Sequence, residues 1–172
     1  IIKVMIKYSS KEIKGYNSSK IAKGEKNDCF VRALAAATEV DYDTSHEFVQ
    51  KTFKRKPKKG TENHQIVKAM AGFQEEGMNI GNKSFKVNVL PKSRITNTYK
   101  LYGELIDRKK TVKSFIKDNP KGTFVVGVSK HAFTVKDGVL IDNVGEEFRP
   151  TRKVDMAYKI ALSNQPIQLK LF

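Results

Sequence analysis

The chain has 172 residues, which is enough for one domain with a substantial hydrophobic core but not for two full domains. With 39% hydrophobic and 30% charged residues it is not an intrinsically disordered chain, and its 33 Lys and Arg against 18 Asp and Glu give a net charge of +15 that favours acidic partners. The single cysteine, Cys29, excludes internal disulfides, all-cysteine zinc sites and paired-cysteine redox sites.

The predicted elements divide this single α+β domain into three stretches. Residues 1–26 form a basic lead-in whose first eight residues alternate apolar side chains with lysines, as a short strand does. Residues 27–80 are the helical part. Residues 81–172 are mainly sheet.

Three helices are predicted in the helical part. The first covers residues 29–38 and follows Asp28, a preferred N-cap type. The second covers residues 44–54, with Thr44 as its cap. The third follows Thr61, which we expect to cap it.

The sheet part contains apolar runs separated by turn residues. A short helix is expected over residues 111–118, where Asn119-Pro120 ends it. Strands are predicted over residues 84–90, 123–129, 131–136, 139–144 and 154–162.

The dipeptide Asp137-Gly138 predicts a two-residue hairpin turn, and this turn sets the register of the strands beside it. With a two-residue turn, His131 and Asp142 lie on one face of the hairpin and within reach of each other. A turn longer by one residue would bring Asn143 to His131 instead. We prefer Asp142 as the partner of His131.

Cys29 lies in the first turn of the first predicted helix. Free N–H groups at a helix start, together with nearby cations, favour the thiolate form that acts as a nucleophile. A free cysteine on an apolar helix is also a common small core residue. The presence of His131 and Asp142 downstream favours the interpretation of Cys29 as a nucleophile.

The order of a helix-start cysteine, a strand histidine and a hairpin acid resembles that of the papain-like cysteine peptidases. The closest resemblance is to compact papain-like proteins of phage and bacterial origin, through the segments NDCFVRALAAAT (residues 27–38) and NPKGTFVVGVSKHAFTVKDGVLID (residues 119–142). The resemblance extends over residues 26–162. It implies a papain-like fold, with Cys29 as nucleophile, His131 as base and Asp142 as the group that orients the histidine.

The chain departs from the papain-like pattern at the oxyanion position. Papain-like enzymes usually carry a glutamine about six residues before the cysteine, and here that residue is Lys23. We expect Asn27 to replace it, together with the Cys29 backbone N–H.

The favoured function is hydrolysis of a peptide, isopeptide or related amide bond through a thioester intermediate, with a protein or peptide as substrate. A non-catalytic basic binding protein on the same fold, for nucleic acid or an acidic host protein, is the alternative, and a cell-wall amide hydrolase is a third hypothesis. We expect no cofactor and no metal, because no phosphate-binding glycine loop is present and His46 and His64 fit no zinc motif.

Six of the nine residues from 51 to 59 are Lys or Arg. Such a run is usually a solvated face, but the high net charge also favours binding of an acidic partner there. The candidate binding residues are Lys54, Arg55, Lys56, Lys58 and Lys59.

The expected location is the cytoplasm, or the host cell's cytoplasm if the protein is viral. No stretch has the length of a membrane span, and the first residues lack the uninterrupted apolar region of a signal peptide. We therefore expect a soluble protein in a reducing compartment.

Overall fold

A computed structural model describes residues 6–7, 13–142 and 149–163 of the chain. Within these ranges six helices are formed: α1 (Lys20–Lys23), α2 (Cys29–Thr38), α3 (Tyr42–Thr52), α4 (Asn63–Glu76), α5 (Lys92–Ile95) and α6 (Val112–Asp118). The strands in the same ranges are β1 (Ile6–Lys7), β2 (Met78–Ile80), β3 (Lys83–Val89), β4 (Thr96–Leu101), β5 (Glu104–Lys109), β6 (Thr123–Val128), β7 (His131–Lys136), β8 (Val139–Ile141) and β9 (Val154–Leu162).

Seven of these strands form one sheet in the order β1-β8-β7-β6-β9-β3-β2, and β4 pairs only with β5. All neighbours in the large sheet are antiparallel except β1 and β8, which run parallel. The predicted α+β class is therefore confirmed. None of the helices in the described ranges is both long enough and apolar enough to cross a membrane.

The large sheet separates two hydrophobic cores, because successive side chains of a strand point to opposite faces. On one face, the residues of α2 pack with apolar residues of α3 and α4 against Val125 and Ile160 of the sheet. On the other face, Phe115 of α6 packs against Phe124 and Val126. Helix α2 and helix α6 thus cover opposite faces of the same sheet.

The helix caps differ in part from the predicted ones. Helix α3 begins two residues earlier than expected, because the carboxylate of Asp41 accepts a hydrogen bond from the Thr44 N–H at 2.7 Å. Thr44 is thus the residue bonded to the cap and does not itself cap the helix. Helix α4 starts at Asn63, and its N-cap residue is Glu62 instead of Thr61.

The sequence analysis did not predict strand β2, which lies at the end of the supposedly helical part 27–80, or helix α5. Two longer segments also contain structure that was not predicted. Residues 13–26, expected as an open basic lead-in, include helix α1 and bury Ile13, and the Tyr42 N–H donates to the Lys14 carbonyl at 2.8 Å. Strands β4 and β5 form a separate hairpin turned by Tyr102 and Gly103, both at positive φ.

Candidate active site

Cys29 is the first residue of α2 and is partly exposed. Asp28 occupies the N-cap position, but its side chain accepts no hydrogen bond from the first turn of the helix. Its carboxylate instead accepts the Tyr42 hydroxyl at 2.6 Å and pairs with Arg32 at 2.8 Å. The N–H groups at the start of α2 are therefore not capped by the Asp28 side chain.

The hairpin of β7 and β8 has the predicted register. Its turn residues Asp137 and Gly138 have φ values of 47° and 79°, as a two-residue type I′ turn requires, and Val135 pairs with Leu140. His131 Nε2 lies 2.7 Å from Asp142 Oδ2, so the predicted neighbours are brought together. Asn143, the alternative partner, lies outside the described residues.

The imidazole of His131 connects Asp142 to Cys29. Asp142 takes Nε2, which leaves Nδ1 as the ring nitrogen available to the Cys29 thiol, and an interaction with the Cys29 side chain contributes to the pKa of His131. Burial lowers the pKa of His131, but its hydrogen bonds and electrostatic interactions with Asp142 and Cys29 raise that pKa to about 9. The ring is therefore an imidazolium at neutral pH.

Two of the three side chains, those of Cys29 and His131, lie at a cleft between α2 and the ends of β6 and β7. The cleft has a volume of about 530 Å³, in the range of small-molecule and peptide sites. Cys29 and His131 line it, and its apolar wall includes Ile66, Val125 and Met156. Asp142 is behind the histidine, with only 3% of its side chain exposed.

Asn27, the predicted oxyanion residue, has a φ of 54°, a left-handed conformation that asparagine tolerates better than most residues. Its side chain lines the cleft, and Nδ2 donates to the Lys58 carbonyl at 3.2 Å. One amide hydrogen is therefore already used, and the oxyanion role of Asn27 stays a prediction. Lys23 lies exposed on α1 and does not line the cleft.

The basic segment 54–59 is exposed at its four lysines, but not at Arg55. The Arg55 side chain is 0% exposed, and its Nη1 donates to Glu25 Oε2 at 2.7 Å. The prediction that Arg55 binds an acidic partner is therefore wrong, because its guanidinium is already used to neutralise a carboxylate inside the protein.

Glu25 is a structural residue that the sequence analysis missed. Besides Arg55, it accepts hydrogen bonds from His46 Nε2 at 2.5 Å and from the Lys58 N–H at 2.8 Å. Burial raises the pKa of Glu25, but these bonds and the Arg55 charge lower it to about 2. No local signal indicates this cluster, because its members are separated by 21 to 33 positions in the sequence.

The apolar wall of the cleft predicts one stability effect. Gly127 of β6 faces Met156 of β9, and a Cβ added to Gly127 would lie 2.6 Å from Met156 Cγ. We expect Gly127→Ala to displace the Met156 side chain and to lower the free energy of unfolding by about 1–3 kcal/mol. Urea unfolding measures this change.

A matched glycine provides the control for Gly127→Ala. Gly72 lies within α4 and has open space where a Cβ would be added. Gly72→Ala is expected to stabilise the protein by about 0.5–1 kcal/mol, because glycine is disfavoured inside a helix. Equal effects of the two substitutions would contradict the crowding at Gly127.

No family model, no curated protein and no solved structure matches this chain. Any function assigned to it therefore depends on the chemistry of its own residues. The group that carries most chemical information is the cysteine, histidine and aspartate at the cleft.

Proposed function

We propose that this protein is a cysteine-dependent hydrolase with a papain-like arrangement, and that it cleaves a peptide, isopeptide or related amide bond through a thioester. The observation that carries the proposal is the chain of contacts from Asp142 through His131 to Cys29 at the wall of a cleft. A nucleophile, a base within hydrogen-bonding reach and a group that orients the base are the parts that acyl transfer needs.

The two half-reactions follow from the imidazolium next to the thiol. Cys29 Sγ, as thiolate, bonds to the substrate carbonyl carbon, and His131 gives its proton to the amine as the C–N bond breaks. Water then attacks the thioester while His131 takes a proton from it. The acid is released, and the thiolate and imidazolium are restored.

The negative oxygen formed in each half-reaction needs hydrogen-bond donors. The backbone N–H of Cys29 supplies one, because it lies at the start of a helix where the Asp28 side chain does not occupy it. Asn27, which lines the same cleft, is the proposed second donor.

The thiol itself provides the most direct test. Because the chain has one cysteine, iodoacetamide reports on Cys29 alone. A neighbouring imidazolium favours the thiolate, so we expect His131→Ala to slow alkylation near pH 7 about tenfold. The rate is measured by mass spectrometry of the intact protein.

The control for this test is His64→Ala. His64 lies on α4 with 69% of its side chain exposed, and its Nε2 lies 3.2 Å from Glu62 Oε2 and 3.3 Å from Gln65 Nε2. Its replacement should leave the alkylation rate unchanged. Equal rates in wild type and His131→Ala would mean that the histidine does not activate the thiol, and the proposal would be wrong.

Turnover completes the test. A library of fluorogenic peptides should be cleaved by the wild type and not by Cys29→Ala. Trapping of a covalent acyl-enzyme on Cys29 by rapid acid quench would support the thioester route. Cleavage that survives in Cys29→Ala would refute it.

A further inference from the structure

Three hydrogen bonds fasten the segment 54–59 to the residues just before Cys29, so its four lysines belong to a stretch of chain that leads directly into the cleft lining. The Lys58 N–H donates to Glu25, the Lys58 carbonyl accepts from Asn27, and Arg55 Nη2 donates to the Lys26 carbonyl at 2.9 Å. The next residues, Gly60 and Thr61, line the cleft directly.

A further lysine of the cleft comes from a different part of the chain. Lys130 is exposed in the turn between β6 and β7, directly before His131, and it lines the cleft. Within the described parts of the chain, none of these ammonium groups is within salt-bridge distance of a carboxylate. We define the basic rim as Lys54, Lys56, Lys58, Lys59 and Lys130.

The cleft has almost no negative charge to balance this rim. Asp28 is the one acidic residue among its described lining residues, and its side chain is 3% exposed and paired with Arg32. The other ionisable lining residues are Arg32, Lys130, Cys29, His131 and Tyr158. A ligand entering the cleft therefore meets several cationic groups and no free carboxylate from these residues.

From this charge distribution we infer that the substrate of the cleft is an acidic peptide, with Asp or Glu side chains flanking the bond to be cleaved. The inference rests on the proposed function and specifies its substrate class. A peptide fits better than a nucleic acid, because the Cys29 nucleophile of the proposed function needs a carbonyl carbon to attack. The apolar wall at Ile66, Val125 and Met156 also accommodates an aliphatic side chain between the acidic ones.

The test compares two pools of internally quenched decapeptides that share an aliphatic residue at the centre. One pool carries glutamate at the flanking positions and the other carries glutamine. We expect kcat/KM to be about tenfold higher for the glutamate pool at low salt, because several exposed ion pairs each contribute modestly. The ratio of the two kcat/KM values should approach one as the salt concentration rises to about 1 M, where charges are screened within roughly 3 Å.

Two double variants locate the effect. Lys58→Gln/Lys59→Gln should reduce the preference about threefold, while the backbone bonds of Lys58 are kept. Lys113→Gln/Lys117→Gln removes the same charge from exposed positions on α6, which packs on the opposite face of the sheet. This second variant should retain the full preference for the glutamate pool. The comparison therefore distinguishes an effect of the basic rim from an effect of the overall charge of +15.

Binding is measured in parallel by fluorescence anisotropy of the same peptides with Cys29→Ala, so that the result does not depend on turnover. Tighter binding of the glutamate pool without cleavage by the wild type would refute the hydrolase and support the acidic ligand. Equal cleavage and equal binding of both pools would refute the acidic ligand and leave the hydrolase. Tighter binding of a single-stranded oligonucleotide, weakened by the same rim variant, would overturn the inference in favour of nucleic acid.

Discussion

Replacing Asp142 by asparagine is expected to lower kcat about 10³-fold while the protein stays folded. The carboxylate accepts the Nε2–H of His131, which fixes the ring orientation and stabilises the imidazolium beside Cys29. An amide in its place carries no charge and permits the wrong tautomer, so Nδ1 no longer serves as base. Turnover of a fluorogenic peptide measures the loss.

The pH dependence separates this role from a structural one. With Asp142 in place, activity should fall on the alkaline side near pH 9, where His131 loses its proton. In Asp142→Asn the pKa of His131 should be lower, because the Asp142 hydrogen bond and charge that raise it are lost. The alkaline decrease of the pH–activity profile should then move to lower pH as well. An NMR titration of the ring protons follows the same change without any substrate.

Asp107→Asn is the matched control. Asp107 is exposed on the separate β4–β5 hairpin and accepts the Thr98 hydroxyl. It should leave kcat and the His131 titration unchanged. A normal kcat in Asp142→Asn would contradict the role given to Asp142.

The second large effect concerns stability. Glu25→Gln is expected to lower the free energy of unfolding by about 3–5 kcal/mol, because it leaves the buried Arg55 guanidinium without a counter-charge. For a protein of this size such a loss lowers Tm by about 10 °C. Thermal unfolding followed by circular dichroism measures it.

The pH dependence of this effect has a defined sign. Folding lowers the pKa of Glu25 to about 2, so its contribution to stability is present above its unfolded value near 4.5 and is lost as the pH falls toward 2. The difference in Tm between wild type and Glu25→Gln should therefore shrink across this window.

Glu47→Gln is the control for Glu25. Glu47 pairs with Lys51 one helical turn away, and 65% of its side chain is exposed. Exposed pairs of this kind contribute little, so no measurable change in Tm is expected. A small effect at both positions would contradict the strong internal pairing assigned to Glu25.

The part of the candidate site that could be predicted from sequence is the part fixed by local geometry. Asp137-Gly138 favours one turn type, and that turn sets the strand register that brings Asp142 to His131. The start of α2 at Cys29 follows likewise from a local pattern of apolar residues. The catalytic roles of these residues stay predictions until turnover is measured.

The missed features depend on contacts between distant parts of the chain. Arg55 belongs to a run of basic residues that resembles a solvated surface, and its burial is explained by its contacts with Glu25, 30 positions earlier, and with the Lys26 carbonyl. The β4–β5 hairpin was missed because its strands are mostly exposed and lack the apolar alternation of a half-buried strand.

The position of β9 has a consequence for biosynthesis. This strand follows the other described strands in the sequence, yet it lies between β6 and β3 in the sheet and contributes Met156 and Tyr158 to the cleft. While the chain emerges from the ribosome, Cys29 is exposed early, but β3 and β6 have no common partner until β9 has been synthesised. The nascent chain therefore carries its thiol without a completed cleft, and we expect cleavage activity to arise only after residue 162 has left the exit tunnel.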